Sequence, residues 1–173
     1  MSKCSSCGTS SRCGHDHSSR APQKPSLVDL EVVRQFFTVS FVRIAQSVEA
    51  TQSGEMTQED FRKKAEAIAT RLSEIFCGYF SNYDEGPEDW NPHGLAETLR
   101  DILGQNGVWD ENGVPQSDEN VVFTGCEIFI EQSIKAVNDK RSQGFVIRTA
   151  DDIPGDAEMF IEQWAMIFAG APY

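Results

Sequence analysis

The chain has 173 residues and carries 15 Lys and Arg against 27 Asp and Glu, a formal net charge of −12 with neutral histidines. This length predicts one domain of ordinary size, and the apolar content is sufficient for a packed core. The pI near 4.6 argues against a protein that coats nucleic acid or an anionic membrane, because phosphates repel an acidic surface. We therefore expect no direct binding to nucleic acid.

The N-terminus has no apolar segment of the kind found in secretory signals. The longest apolar-rich stretch, residues 27–48, contains four charged residues, so we do not expect it to cross a membrane. The five cysteines are odd in number, and three of them fall within the first 13 residues, which is not typical of a disulfide framework. The sequence therefore predicts a cytoplasmic protein with reduced thiols or metal thiolates.

The first 26 residues differ in composition from the rest of the chain. They contain eight serines and no Val, Ile, Leu or Phe, and their net charge is +3. Such a segment buries too little apolar surface to offset the entropy of ordering its backbone. Residues 27–173 carry a net charge of −15. We therefore expect a flexible N-terminal tail, residues 1–26, followed by one acidic helical domain, residues 27–173.

The apolar pattern of residues 26–48 predicts the first helix of the domain. Ser26 with Asp29 suits a capping box at its start. The apolar residues form two stripes, which is typical of a helix at the centre of a bundle. The first stripe comprises Leu30, Val33, Phe37, Phe41, Ile44 and Val48, and the second comprises Val32, Phe36 and Val39.

Two further helices are predicted, one over residues 57–79 and one that begins at residue 91 and stops at Gly104 or Gly107. In the first of these, Thr57 with Asp60 suggests an N-cap, and apolar residues follow at alternating steps of four and three residues. The second begins with Asn91 and then a proline, a pair that suits an N-cap and a first helical turn. Its apolar residues are Leu95, Leu99, Ile102 and Leu103.

The C-terminal part predicts two more helices, over residues 118–141 and 156–169. The inner face of the first comprises Phe123, Cys126, Ile130, Ile134 and Val137, and that of the second comprises Phe160, Trp164, Ile167 and Phe168. Asn112 and Gly113 are typical of a turn that closes a small hairpin within residues 108–114, and residues 145–147 are a candidate extended segment. The sequence therefore predicts an all-α fold, a bundle of about five helices.

The Cys and His residues of the tail are the one constellation with chemical specificity. Five donors lie within 14 residues: Cys4, Cys7, Cys13, His15 and His17. Thiolate and imidazole are the ligands that Zn(II), Ni(II), Co(II), Cu(I) and iron–sulfur centres select. The Cys-x2-Cys-Gly motif of residues 4–8 resembles one knuckle of zinc-ribbon and rubredoxin-like proteins. Those folds supply a second pair of cysteines from a distant hairpin, which this tail lacks, so no family is assigned.

The three tail cysteines with either His15 or His17 form a Cys3His set, which suits a closed four-coordinate Zn(II) site. The fifth donor is then spare, which would suit transfer of the metal to another protein. Zn(II) is the metal we expect, and its affinity should fall at low pH because protons compete for the thiolates. The open alternatives are a redox dithiol formed by Cys4 and Cys7, and cysteines without a specific role.

Acidic residues are concentrated between positions 84 and 119, where ten acids accompany a single base, Arg100. This stretch is either a docking face for a protein with a basic surface or a solvated face that maintains solubility. Trp90 and Trp109 fall in predicted loops, where an aromatic ring could anchor a partner. Trp164 instead belongs to a predicted core face.

No motif of an enzyme class occurs in the domain, whose one histidine is His93. The glutamate pairs at 127/131 and 158/162 lack the histidine companions of a di-iron bundle, so we expect them on exposed polar faces. Cys77 and Cys126 lie in apolar stripes and are expected to be structural cysteines inside the fold. The sequence favours a non-enzymatic role, with a helical enzyme that uses scattered carboxylates as the alternative.

Two hypotheses about function follow from the sequence. In the first, a cytoplasmic accessory protein docks on a protein partner through its helical body, and its tail binds a transition metal, as a structural site or for delivery. In the second, an acidic inhibitor, an immunity-type protein or an assembly chaperone acts through the helical body alone. The first is favoured because all the donors of the predicted metal site lie before residue 18.

Overall fold

The structure is a computed structural model that describes residues 29–79, 92–104, 111–114 and 116–170. In these residues the regular structure is helical, without strands. The five α-helices are α1 (Leu30–Gln52), α2 (Gln58–Glu74), α3 (Pro92–Leu103), α4 (Asp118–Ser142) and α5 (Gly155–Ala169). A π-helical segment, Ile75–Tyr79, continues α2, and a short 3-10 helix, Ala150–Asp152, precedes α5. The predicted all-α bundle of five helices is confirmed for this part of the chain, whereas the predicted tail lies outside it.

Side-chain caps begin three of the helices, and the sequence predicted one of these cap residues. Asp29 accepts a hydrogen bond from the backbone N–H of Glu31 at 3.0 Å and caps α1. Thr57 accepts from the N–H of Asp60 at 3.1 Å and caps α2, as predicted. Ser117 caps α4 in the same way. Each cap satisfies an N–H group that has no partner within the first turn of its helix.

The predicted bounds of α1 require correction at both ends. The N-cap is Asp29 rather than Ser26, and Ser26 lies outside the described residues. The helix continues four residues beyond the predicted end at Val48, through Gln52, because no helix-breaking residue occurs before Gly54. Gly54 has a φ of +82°, a conformation that glycine adopts without steric cost, and the helix has ended before it.

Aromatic rings of α1, α4 and α5 meet at the centre of the bundle. Phe37 of α1 lies with its ring centroid 4.6 Å from that of Phe129 and 5.0 Å from that of Phe168. Phe76, from the π-helical segment, lies 4.7 Å from Phe168. All four rings are fully buried, and such pairs contribute about 0.5–1.5 kcal/mol each beyond their buried area. α1 contacts α2, α4 and α5, which confirms its predicted central position.

The second apolar stripe predicted on α1 is mostly exposed. Val32 is 38% exposed and Val39 is 50% exposed, whereas Phe36 is half-buried. The periodicity of the apolar residues could not predict this exposure, because burial depends on whether another helix covers that face of α1. Ile102, one of the apolar residues of α3, is likewise 42% exposed.

Helix α4 is buried on a wider face than predicted, because α1, α2 and α3 all pack against it. The buried residues beyond the predicted set are Val121, Val122, Gly125, Phe129 and Ser133. The hydroxyl of Ser133 donates to the carbonyl of Phe129 at 2.7 Å, so this polar group is satisfied inside the core.

Of the two predicted extended segments, one is only partly described and the other is a loop. Residues 111–114 form a turn with Gly113 at a φ of +74°, while the rest of the predicted hairpin, residues 108–110, lies outside the described residues. Residues 145–147 form a loop without regular hydrogen bonding, in which Ile147 is buried and Phe145 is exposed. The Asn-Gly turn was therefore predicted correctly, and the pairing predicted across it lies with residues 108–110, outside the described residues.

Candidate functional site

The structure does not describe the five residues predicted to bind metal, Cys4, Cys7, Cys13, His15 and His17. Within residues 29–79, 92–104, 111–114 and 116–170, no group of three or more His, Cys, Asp or Glu side chains could hold a metal ion. The zinc site thus stays a prediction from the sequence.

The acidic stretch between residues 84 and 119 is only partly described. Its single base, Arg100, donates from Nη2 to the carboxylate of Asp118 and to the backbone carbonyl of Gln116, both at 2.9 Å. These bonds join α3 to the start of α4, so at least one acid of the stretch has a structural role. Glu97 and Asp101, by contrast, are exposed on α3. Trp90 and Trp109 lie outside the described residues.

A groove of about 530 Å³ runs between α2 and α4, and we call it the α2–α4 groove. Its floor is apolar, and its walls carry one arginine and several glutamates. The apolar residues are Phe61, Ala65, Ala69, Ile130 and Ile134, and the charged residues are Glu59, Arg62, Glu66, Glu127 and Glu131. The two alanines of α2 leave space between the helices where larger side chains would close the groove.

The charges of the α2–α4 groove are unevenly paired. Arg62 bridges Glu59 at 2.8 Å and Glu66 at 2.7 Å along α2. Glu127 and Glu131 on the opposite wall have no ion pair with another described residue. Partial burial raises the pKa of Glu127, and the nearby carboxylates of Glu131 and Glu66 raise it further. The groove thus combines an apolar floor with an excess of negative charge, four acids against one base.

The sequence predicted that Glu127 and Glu131 are exposed, and both are. It did not predict that they form one wall of a groove, because the other wall comes from a helix more than 50 residues away. The available signal was the pair of small residues Ala65 and Ala69 on the apolar face of α2. Small residues on an otherwise large apolar stripe leave a depression when a second helix packs beside them.

The two cysteines of the helical body form no disulfide in the described residues, and their positions fit the predicted structural role. Cys126 is fully buried and Cys77 is half-buried. Burial raises the pKa of both thiols, that of Cys126 well above its usual value. Because the thiolate is the nucleophile and the metal ligand, protonated thiols of this kind have low reactivity.

Trp164 is buried as predicted, and its indole Nε1 donates to the side-chain carbonyl of Gln132 at 3.1 Å. No buried side-chain nitrogen or oxygen in the described residues lacks a hydrogen-bond partner. His93 belongs to the first turn of α3, and its side chain lies outside the described set.

None of the described helices is long and apolar enough to cross a membrane. Comparisons of the chain with protein-family models, with curated proteins and with solved structures found no match. The assignment of a function therefore depends on the grooves, charges and donors of this chain itself.

Proposed function

We propose that the protein is a non-enzymatic accessory protein of the cytoplasm whose helical body binds a protein partner with a basic surface. The observation that carries this proposal is the α2–α4 groove, with its apolar floor and its two unpaired glutamates, Glu127 and Glu131. The N-terminal tail of the same protein binds a transition metal, Zn(II) in the first instance, either as a structural site or for delivery.

The partner segment best matched to this groove is an amphipathic helix with Lys or Arg beside its apolar face. An apolar groove between two helices accepts the apolar stripe of a third helix. Basic residues on the flanks of that stripe would pair with Glu127 and Glu131, whose carboxylates are otherwise close to like charges. Such pairing adds attraction and also relieves the repulsion between neighbouring carboxylates. In addition, the net charge of −15 on residues 27–173 steers a basic partner toward the body.

The docking part of the proposal is tested by affinity capture from a lysate with the full chain, followed by quantitative mass spectrometry. The test variant is Glu127→Gln/Glu131→Gln, and the control is Asp101→Asn/Asp139→Asn, which removes the same charge from exposed positions outside the groove. We expect a partner with a basic helical segment to be depleted by the test variant and by high salt, and retained by the control. Equal capture by all three proteins would contradict the groove as the docking site.

The metal part is supported by the chemistry of Cys4, Cys7, Cys13 and the two tail histidines. The test is elemental analysis of the full chain purified without a histidine tag, and of a variant with all three of these cysteines changed to serine. We expect about one equivalent of zinc at neutral pH in the parent protein, lost at low pH as the thiolates are protonated. The matched control, Cys77→Ser, should retain the metal. Less than about 0.2 equivalents of any metal in the parent protein would refute this part.

The second candidate is an acidic inhibitor, an immunity-type protein or an assembly chaperone that acts through the helical body alone. The observation in its favour is that the α2–α4 groove is built entirely from residues of the body. The triple cysteine-to-serine variant distinguishes the two candidates. Partner binding and function both survive this variant under the second candidate, whereas function requires the tail donors under the first.

A further inference from the structure

A second groove, of about 820 Å³, lies between the first half of α1 and the start of α5, and we call it the α1–α5 groove. It lies beyond the α2–α4 groove and shares no lining residue with it. Two of its apolar side chains are among the most exposed in the described residues, Met159 at 65% and Val39 at 50%. Methionine is an adaptable apolar contact and is often found on surfaces that bind peptides.

The charges around the α1–α5 groove are mainly negative. Arg34 pairs with Glu31 and lies 3.7 Å from the carboxylate of Glu162, so the one base is already engaged by two acids. Asp151 and Glu158 also line the groove; neither forms a salt bridge with another described residue, although Glu158 is close enough to Arg34 for an electrostatic interaction. The groove therefore has an exposed apolar surface beside two carboxylates that are available to a cation.

We infer that the chain's own N-terminal segment, residues 1–28, binds in the α1–α5 groove, with Arg20 and Lys24 against Asp151 and Glu158. Charge complementarity favours this occupant, because residues 1–26 carry +3 and the lining of the groove has four acids and one arginine. Position favours it as well. Glu31, which lines the groove, lies three residues after the end of this segment.

The reach of the segment exceeds the length of the groove along α1. Lys24 and Arg20 precede the cap residue Asp29 by five and nine residues. An extended chain of these lengths reaches about 17 Å and about 31 Å. The part of α1 that lines the groove, from Glu31 to Val39, is about 12 Å long. A tether this short keeps the segment at an effective concentration of about 1 mM.

This inference concerns how the protein's two parts contact each other, and it is independent of the partner groove and of the metal. The first test is zero-length carbodiimide cross-linking of the full chain at low micromolar concentration, with the linked peptides identified by mass spectrometry. We expect amide links from the Lys24 amine to the carboxylates of Asp151 or Glu158 in the monomer band. Substitution Arg20→Gln leaves every reactive group in place and should reduce the yield by roughly fivefold, given the strength of exposed ion pairs. The control Lys3→Gln should leave it unchanged.

The second test monitors the groove itself by methionine methyl NMR of the full chain. We expect Arg20→Gln/Lys24→Gln to move the methyl signal of Met159 and to leave that of Met56, between α1 and α2, in place. Two outcomes overturn the inference. In one, links from Lys24 are spread over acids outside the groove and the Met159 signal does not respond. In the other, the links occur only in a dimer band whose yield rises with concentration, which would make a second copy the occupant.

Discussion

Gly125 of α4 lies against Leu99 of α3 and Phe168 of α5, and replacing it with alanine tests the packing of the bundle. A Cβ atom at this position would lie 3.0 Å and 3.2 Å from the two terminal methyl carbons of Leu99 and 3.3 Å from the ring of Phe168. These distances are shorter than ordinary van der Waals contacts. Both neighbours are fully buried, and the ring of Phe168 is confined by Phe37 at 5.0 Å and Phe76 at 4.7 Å.

Two opposing contributions determine the stability of Gly125→Ala. Alanine is favoured over glycine inside a helix by about 1 kcal/mol. Overpacking of a dense core costs about 1–3 kcal/mol, because the neighbours must leave their preferred rotamers. Since Phe168 has little room to move, we expect the second contribution to exceed the first, and the variant to lose about 1 kcal/mol of unfolding free energy.

The assay is urea unfolding followed by circular dichroism, with Leu99→Ala and the double variant completing a mutant cycle. Removing the methyl groups of Leu99 relieves the contact, so the two substitutions should be coupled by about 1–2 kcal/mol. The control is Gly155→Ala at the start of α5, where an added Cβ meets no atom within 4 Å. This control should gain stability, by about 0.4–1 kcal/mol.

A gain of about 1 kcal/mol for Gly125→Ala, equal to the helix propensity alone, would refute the reasoning. It would mean that α3 and α5 can move away from α4 without loss. An absence of coupling between positions 125 and 99 would lead to the same conclusion, whatever the stability of the single variants.

Three further predictions concern polar contacts. Arg100→Gln should lose about 1 kcal/mol in urea unfolding, because it removes the link from α3 to Asp118, and hydrogen exchange in α3 should increase. Glu127 has a raised pKa, so its ionised carboxylate destabilises the folded state. This destabilisation develops as pH rises from the pKa of the unfolded chain to the raised pKa of the folded protein. The unfolding free energy of Glu127→Gln should therefore be about 0.2–0.5 kcal/mol higher at pH 7 and unchanged below the pKa of the unfolded chain. The N–H groups of Arg148 and Thr149 lower the pKa of Asp152, so its contribution is present at neutral pH and lost as pH falls through the lowered pKa. Asp152→Asn should therefore lower the melting temperature at pH 7 and not at the acid end of a pH series.

Each of these three predictions has an outcome that contradicts it. Unchanged exchange in α3 would show that Arg100 does not hold that helix to α4. A stability difference for Glu127→Gln that is the same at pH 7 and at pH 3.5 would exclude a charge effect. A lower melting temperature of Asp152→Asn that persists at low pH would mean that the ionised carboxylate is not the cause of the effect.

Local features of the sequence predicted the helices well, because caps and helix ends depend on neighbouring residues. Thr57 with Asp60 was sufficient to identify the start of α2, and the spacing of apolar residues identified α5 to within one residue. The end of α1 was predicted too early, since residues 49–52, three of them polar, interrupt the apolar pattern without breaking the helix. Of the candidate sites, the tail donors depend on the sequence alone, and the two grooves were not predicted.

The sequence by itself determined the helix count, the division of charge between residues 1–26 and the rest, and the set of metal-type donors, because these are properties of composition and short-range order. Only the tertiary structure decided which apolar faces are covered. It buried Phe129 and Gly125 on a side of α4 that the pattern did not indicate, and it left Val39 exposed. It also placed the 127/131 and 158/162 glutamate pairs on two separate grooves. The physical reason is that a groove is formed by two helices distant in the chain, so its shape and charge depend on how they pack and not on the periodicity of either one.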